Sequence, residues 1–233
     1  MAKSYLLEIS VQTADAAQAA ERGGAHRIEL CAELSVGGLT PSDELMRQAR
    51  EHVRLPIFAM VRPRTGNFVY SAEEFERMRR DILLAKRLGM GGVVLGLLTH
   101  DGRVDVPRTK ELIENARPLP VTFHRAFDAC ANLFTSLEEV IEAGAARILT
   151  SGGAASAPDG IADLAKLVTA AGDRIIILPG SGIHAGNIAQ VARETRAREF
   201  HSGLGSVLRY GQKQHGEFEE KVRRLRREID NLT

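Results

Sequence analysis

Several short apolar segments of the sequence end in side chains that can carry acid–base chemistry. The clearest is residues 121–128 (VTFHRAFD), where an apolar run stops at a histidine, an arginine and an aspartate. Similar runs are residues 6–8, 27–31, 59–62 and 199–201, which contain glutamate, cysteine, arginine or histidine near their ends. Ionisable groups at the ends of buried strands are typical of the floor of a functional site. The pattern therefore predicts that separate strands deliver polar side chains to one place.

The ionisable residues at these strand ends could supply a base, an acid and a clamp for an anion. The candidate catalytic residues are Glu8, Glu29, His124 and His201. Arg27 and Glu199 lie lower on their strands, and we interpret them as a structural ion-pair layer. Asp128 either orients one of the two histidines or caps the helix that follows it.

Cations and glycine-rich loops at the same predicted edge indicate an anionic ligand. The loop at residues 179–183 (PGSGI) follows one strand, and residues 202–206 (SGLGS) follow the next. Backbone amides in such loops bind phosphate in many barrels, although tight turning alone would also explain the glycines. The candidate anion-binding residues are Arg62, Arg64, Ser151, Gly180, Ser181 and Gly182.

These side chains must be positioned by short apolar strands, which alternate with helical segments about every thirty residues, the size of a βα unit. The predicted strands cover residues 4–10, 26–31, 56–62, 91–97, 120–124, 146–150, 174–178 and 198–202. The predicted helices cover residues 14–21, 42–52, 72–88, 107–116, 133–142, 160–170, 185–195 and 216–232. Gly23, Gly89, Gly144 and Gly172 follow helix ends, where a left-handed residue is typical.

Repeated βα units of this number predict an α/β fold, a TIM-like (β/α)8 barrel that forms a single domain over residues 1–233. A doubly wound open sheet is the alternative, because the same strands could build it too. The barrel is favoured since residues 10–14 (SVQTA), after the first strand, lack the glycines of a dinucleotide-binding turn. Alternation of side chains along the strands gathers a set of ionisable residues at the mouth of such a barrel. These residues are Glu8, Glu29, Arg62, His124 and His201.

The composition fits a single globular domain that neither binds nucleic acid nor enters a membrane. Hydrophobic residues make up 44% of the 233 residues, enough to bury one sizeable core. Lysine and arginine total 31 against 30 for aspartate and glutamate, so no basic surface is implied. The first residues lack the apolar segment of a secretion signal, no apolar run is long enough to span a membrane, and the cysteines are Cys31 and Cys130. We therefore expect a cytoplasmic protein in a reducing compartment.

Motifs throughout the chain resemble those of the CutC family, whose members are often described as copper homeostasis proteins. The matching segments are residues 27–31 (RIELC), 37–42 (GGLTPS), 62–70 (RPRTGNFVY), 101–105 (DGRVD), 122–128 (TFHRAFD), 149–152 (LTSG) and 199–202 (EFHS). The resemblance implies a TIM-like barrel, a cytoplasmic location, a homo-oligomer and copper as a ligand.

Cys31 is the leading copper ligand under this resemblance. Cu(I) prefers thiolate and thioether ligands, and Met60 or a histidine could assist Cys31. Cys130 follows a strand that lies roughly 14 Å away around the sheet, at about 4.8 Å per strand spacing. The alternative for Cys31 is a small buried side chain of the core.

Three functions stay open from the sequence. The first is copper homeostasis through copper ion binding, with Cys31 as a ligand. The second is an enzyme that acts by acid–base chemistry on a small anionic metabolite, phosphorylated or carboxylated. In a variant of this enzyme hypothesis, Glu8 and Glu29 hold a divalent metal ion, and His124 or His201 completes its set of ligands. The third is a scaffold whose oligomer presents a surface to partners.

Overall fold

The computed structural model describes residues 5–204 and 212–232, in which parallel strands alternate with helices. The strands are β1 Leu6–Val11, β2 Arg27–Leu30, β3 Ile57–Met60, β4 Gly92–Leu95, β5 Val121–Phe123, β6 Arg147–Thr150, β7 Ile176–Pro179 and β8 Glu199–Ser202. The helices are α1 Ala14–Arg22, α2 Asp43–His52, α3 Ala72–Arg87, α4 Val106–Ala116, α5 Leu133–Ala143, α6 Ile161–Ala171, α7 Ile188–Thr195 and α8 Gln212–Asp230. Short 3-10 helices lie at Leu34–Val36 and Arg125–Ala129.

The strands form one parallel sheet that curls into a nearly closed barrel. Each of β1 to β6 pairs with the strand that follows it, β8 pairs with β1, and β7 lies beside β8. This arrangement confirms the TIM-like (β/α)8 barrel predicted from the sequence and excludes the open doubly wound sheet. The carboxyl ends of all strands consequently meet at one face, where the candidate site residues were predicted.

The main core lies between the barrel and its surrounding helices. On β2, Ile28 and Leu30 are fully buried in this layer, while Arg27 and Glu29 turn to the barrel interior. Alternation along a strand dictates this division, because successive side chains point to opposite faces. The apolar side chains therefore fix the strand, and its polar side chains are directed inward.

Buried charges form a layer deep inside the barrel. The guanidinium carbons of Arg27 and Arg147 lie 5.0 and 5.1 Å from the ring centroid of Phe58. Glu199 Oε2 accepts a hydrogen bond from Arg27 Nη2 at 2.7 Å and lies 3.3 Å from Arg147 Nε. The structural ion-pair layer predicted for Arg27 and Glu199 is therefore present.

The C-terminal helix α8 packs closely on α1. Its buried face carries Phe218, Val222, Leu225 and Ile229, a spacing that places them on one side of a helix. A Cβ on Gly23 would lie 2.6 Å from Val222 Cβ, so glycine there permits the close approach. The predicted left-handed conformation of Gly23 is wrong, since its φ is −71° and the next residue, also a glycine, adopts φ +93°.

No helix within the described residues is both long enough and apolar enough to cross a membrane.

Candidate functional site

A cavity of about 920 Å³ opens at the carboxyl ends of the strands. Residues from several strands and loops line it, including Glu29 of β2, Arg62 after β3 and His124 after β5. His201 of β8 and Ser181 after β7 line it as well. Most of the predicted site residues therefore meet in one cavity, and the strand ends place them there as the sequence analysis expects.

Glu8 lies beneath the cavity and is fully buried. The strand register sets Arg27 and His201 on its two sides. Arg27 Nε donates a hydrogen bond to Glu8 Oε2, and His201 Nδ1 lies 2.7 Å from Glu8 Oε1. Burial alone would raise the pKa of Glu8, but the charges of Arg27 and His201 outweigh burial and hold this pKa at about 2. Glu8 is therefore an ionised anchor that fixes His201.

Glu29 is the second buried carboxylate, and it faces the cavity. Its Oε2 accepts a hydrogen bond from Cys31 Sγ at 3.5 Å and lies 3.8 Å from His201 Nε2. Its Oε1 is buried and has no hydrogen-bond partner among the described residues. Burial raises the pKa of Glu29, against the attraction of His201. The pKa values of the two carboxylates are thus shifted in opposite directions, lowered for Glu8 and raised for Glu29. Such a divergence is typical of acid–base catalysis.

His201 connects the two carboxylates. Because Nδ1 faces the ionised Glu8, this nitrogen carries a proton, and Nε2 points toward Glu29. Burial opposes a charge on the ring, but the carboxylates of Glu29 and Glu8 outweigh burial and raise the pKa of His201. The imidazole can therefore hold a proton beside Glu29.

Ligand atoms of Glu8, Glu29 and His201 lie within 4.8 Å of one another, so this buried group could hold a metal ion. Of the two histidines considered from the sequence, His201 rather than His124 joins the carboxylates. Oxygen and imidazole donors suit a hard divalent cation better than Cu(I). Both oxygens of Glu8 are already bonded, and the Arg27 guanidinium beside them would repel a dication. The existing contacts thus favour a proton network over a metal centre.

His124 is held as a neutral imidazole. The backbone amide of Ala126 donates to Nδ1 at 3.1 Å, so the proton of a neutral ring must reside on Nε2. Nε2 is buried and has no hydrogen-bond partner in the described part of the chain. Burial and the nearby charge of Arg62 lower the pKa of His124 to about 3. The ring therefore presents an N–H donor.

Arg62 holds together the loops around the cavity. Its Nη1 donates to the carbonyl oxygens of Val36 and Gly38 at 3.1 and 3.2 Å, and Nη2 donates to that of Gly66 at 3.2 Å. The guanidinium carbon lies 5.0 Å from the ring centroid of Phe68. Nε is buried without a partner among the described residues. Arg62 therefore both connects the loops through hydrogen bonds and places a positive charge at the cavity.

Arg64 does not line the cavity, contrary to the prediction from sequence. Its Nε donates to Glu74 Oε1 at 2.6 Å, and its terminal nitrogens donate to the carbonyl oxygens of Asn67 and Val69. The guanidinium is occupied by hydrogen bonds to Glu74 and to its own loop, so anion binding by Arg64 stays a prediction that these contacts do not favour.

Ser151 is engaged by the loop after β6 and does not line the cavity, and its role in anion binding stays a prediction. Its backbone N–H donates to both carboxylate oxygens of Asp128 at 3.1 Å, and its hydroxyl lies 2.6 Å from the carbonyl oxygen of Ala154. Asp128 in turn accepts bonds from Thr150 Oγ1 and Arg125 Nε. Asp128 therefore fixes the loop after β6. Among the described residues it forms no hydrogen bond with His124 or His201, and Asn132 caps the next helix α5, so neither of the two roles considered for Asp128 is seen.

The loop after β7 lines the cavity with residues whose backbone amides are free among the described residues. Ser181 and Gly182 both line it, with φ values of +75° and +71°, and their amides donate to no other described residue. Gly180 differs, because its amide donates to the carbonyl oxygen of Thr150 at 2.9 Å and it does not line the cavity. Of the loop predicted at residues 202–206, residues 202–204 line the cavity, and residues 205–206 lie outside the described residues.

Cys31 is buried in the barrel interior beside Phe58, Met60 and Val94. Burial and the adjacent Glu29 carboxylate raise the pKa of its thiol well above the usual value. Cys130 is elsewhere, with Sγ 3.6 Å from the carbonyl oxygen of Ala126. The two sulfurs thus belong to separate environments, and the thioether of Met60 is the soft donor near Cys31.

The structure adds cavity residues that the sequence analysis missed. Lys221 and Arg224 of α8, together with Arg125, line the cavity and add positive charge, and His184 lines it as well. No motif marks the two α8 residues, since only the packing of the last helix brings them to the site. A second omission is Gly96, where any larger residue would place its Cβ 2.5 Å from His124 Nδ1.

Solved structures of low sequence identity share the fold. Thiamine phosphate pyrophosphorylase from Pyrococcus furiosus has a TM-score of 0.65 at 15% identity, covering 99% of this chain and 98% of that one. At this identity the likeness shows the barrel alone.

Sequence comparisons are more specific. The model of the CutC family matches residues 5–206. A CutC family protein of Chromobacterium violaceum is 47% identical over 209 residues, which cover 88% of this chain and 85% of the relative. One of Vibrio campbellii is 49% identical over 197 residues, covering 84% and 80%. A solved CutC structure from Streptococcus agalactiae, named for copper homeostasis, has a TM-score of 0.81 at 31% identity and covers 85% of this chain and 98% of that one. The chain therefore belongs to the CutC family.

Proposed function

We propose that the chain is an enzyme that binds a small anionic metabolite in the barrel mouth and transfers protons on it. The observation that carries this proposal is a pair of buried, unpartnered polar atoms on residues that line one cavity. Among the described residues, Glu29 Oε1 lacks a donor and His124 Nε2 lacks an acceptor. Each such atom costs about 1–3 kcal/mol when left unpaired. A ligand with one donor and one acceptor would satisfy both.

The charge around the cavity supports an anionic ligand. Arg62 lies at the floor, and Arg125, Lys221 and Arg224 line the cavity further out. Amides at residues 181–182 add neutral donors that suit a phosphate or a carboxylate. Together these groups would hold the charged end of the metabolite and leave its reacting end at the floor.

Roles follow from the contacts. Glu29 acts as the base, because it has a free oxygen and a buried position at the cavity. His201 holds a proton next to Glu29, and Glu8 fixes the orientation of that imidazole. His124 donates a hydrogen bond from Nε2 to an oxygen of the ligand. Burial of these groups strengthens each interaction by excluding water.

Ligand-linked thermal stability tests this proposal. A panel of phosphorylated and carboxylated metabolites is screened against the purified protein, and a member present at 100 times its Kd should stabilise it by about 2.7 kcal/mol. This ligand-dependent stabilisation should be lost in Glu29→Gln and Arg62→Gln. It should be retained in Arg64→Gln, which changes a matched arginine that does not line the cavity. Equal shifts in the Arg62 and Arg64 variants would place the ligand elsewhere.

Copper handling is the second candidate, and the adjacency of Cys31 and Met60 favours it. The Streptococcus agalactiae relative is named for copper homeostasis, and a thiol beside a thioether is a donor pair that suits Cu(I). Tight Cu(I) binding to the reduced protein should then be lost in Cys31→Ala and retained in Cys130→Ala. Cu(I) binding that survives removal of both cysteines would contradict it. A cytoplasmic location, a homo-oligomer and a scaffold role stay predictions from the sequence.

A further inference from the structure

His124 is built as a donor of fixed direction. Its Nδ1 is occupied by the Ala126 amide at 3.1 Å, which leaves Nε2 as the nitrogen that carries hydrogen. The ring is clamped by its neighbours: a Cβ on Gly96 would approach Nδ1 to 2.5 Å, and the Phe68 centroid lies 5.0 Å from that of His124. The imidazole can therefore neither flip freely nor accept a proton at Nδ1 without losing a backbone hydrogen bond.

A neutral imidazole N–H stabilises negative charge that develops on an oxygen, without first becoming charged itself. The Arg62 guanidinium at the same cavity opposes imidazolium formation. A ligand oxygen in front of Nε2 would consequently remain a hydrogen-bond acceptor throughout the reaction. Carbonyl oxygen meets this requirement, and it gains negative charge when a proton leaves the neighbouring carbon.

The base stands at the same cavity. Glu29 Oε1 is an acceptor without a donor among the described residues, and the strand that carries it approaches the cavity from a different side of the barrel than β5. A flat ligand between Glu29 and His124 would place one atom at each. The combination of a free carboxylate and a neutral N–H donor is the minimum set for removing a proton next to a carbonyl group.

Resting on the function proposed above, we propose that the substrate is an anionic carbonyl compound, and that Glu29 abstracts a proton from the carbon adjacent to its carbonyl. The C–H bond breaks and its proton forms a bond with Glu29 Oε1. The electron pair becomes the C=C bond of an enolate, whose oxygen accepts the hydrogen bond from His124 Nε2. Return of the proton to the same carbon completes an exchange. Where that carbon carries a hydroxyl group, its hydroxyl proton passes to the enolate oxygen, the abstracted proton bonds to the former carbonyl carbon, and the hydroxyl-bearing carbon becomes the new carbonyl, an isomerisation that requires no oxidant or reductant.

The experiment compares two probes by calorimetry. Phosphoglycolohydroxamate is a planar phosphorylated hydroxamate that resembles an enediolate, and inorganic phosphate carries the anionic group alone. The hydroxamate should bind the wild-type protein at least about tenfold more tightly than phosphate does. In His124→Asn the side-chain oxygen can accept from the Ala126 amide, and the shorter side chain withdraws the donor from the position of Nε2. This variant should lose the gain and keep the affinity for phosphate, while His52→Asn, a matched change at an exposed histidine of α2 that does not line the cavity, should keep both.

Nitrogen NMR of the histidine-labelled wild-type protein adds a readout that needs no variant to fold. His124 should show hydrogen on Nε2 and none on Nδ1 at neutral pH, in the free protein and with hydroxamate bound. Hydrogen on Nδ1, an imidazolium, or a hydroxamate affinity independent of His124 would overturn the carbonyl inference while phosphate binding left the proposed function standing. Failure of both probes to bind would overturn the two together.

Discussion

His201 Nδ1 lies 2.7 Å from Glu8 Oε1, and this hydrogen bond joins the first and last strands of the barrel. Arg27 bonds the other oxygen of the same carboxylate. A single buried carboxylate therefore anchors an arginine of β2 and a histidine of β8. The chain closes its barrel with the same contacts that orient an imidazole at the site.

Glu8→Gln should destabilise the protein strongly. The substitution keeps the shape but removes the buried negative charge that Arg27 and His201 share, leaving Arg27 with Glu199 and His201 with Glu29. Removing one partner of a buried ion pair typically costs about 3–5 kcal/mol. Urea unfolding at neutral pH measures the loss.

The matched control is Glu138→Gln, which breaks the exposed ion pair with Arg174. That change should leave the free energy of unfolding nearly unaltered, because water screens the pair. Similar losses in the two variants would show that Glu8 does not anchor the barrel.

Lowering the pH should reduce the free energy of unfolding, because the fold holds His124 as a neutral imidazole. Its pKa in the folded protein is about 3, against 6.5 for the ordinary side chain, because the ring is buried and faces Arg62. Between these pH values the unfolded chain binds a proton that the folded chain does not. The contribution of the neutral His124 ring to the free energy of unfolding is therefore complete above pH 6.5 and is lost as the pH falls toward 3. The loss should reach about 2 kcal/mol by pH 5.

Urea unfolding of the wild-type protein and His124→Asn at pH 7 and pH 5 isolates this contribution from that of the other titrating groups. The wild-type protein should lose more stability than the variant over this interval. An equal loss in both proteins would mean that His124 is protonated in the fold as readily as in the unfolded chain.

The positions of the site residues could be predicted from sequence because two rules act together. Parallel strands bring their carboxyl ends to one face, and alternation selects which side chains point inward, as for Glu29 and His201. Neither rule says which inward groups bond one another. Glu8 was consequently expected at the mouth, whereas its pairing with Arg27 keeps it beneath the cavity.

Loop residues were harder to predict, since their side chains follow local hydrogen bonds rather than a period. Arg64 has the right charge and lies two residues after Arg62, yet the carbonyl groups of its own loop and Glu74 capture it. Ser151 is held by Asp128 for the same reason. Lys221 reaches the cavity only through the packing of α8, which no local sequence pattern encodes.

Divalent metal ions should not stabilise the protein through the buried carboxylates. Glu8 has both oxygens bonded, and Arg27 supplies a positive charge that already compensates it. After treatment with EDTA, the melting temperature should be unchanged, and adding Mn²⁺ should produce no saturable increase. A rise with Mn²⁺ that disappears in Glu29→Gln would instead establish a metal centre built on Glu8, Glu29 and His201.

Gly96→Ala should destabilise the protein and misplace His124. The new Cβ would lie 2.5 Å from Nδ1 and 3.0 Å from Ala126 Cβ, so the imidazole and the loop after β5 must shift. Overpacking of this kind typically costs about 1–3 kcal/mol. The matched control is Gly216→Ala on α8, where the new methyl group meets no described atom within 4 Å outside its own stretch of helix. Alanine in a helix is favoured over glycine by about 0.5–1 kcal/mol, so this variant should gain stability. Thermal unfolding should show a lower melting temperature for Gly96→Ala and a higher one for Gly216→Ala. A Gly96→Ala protein with wild-type stability and unchanged His124 NMR signals would contradict the close packing around the imidazole ring.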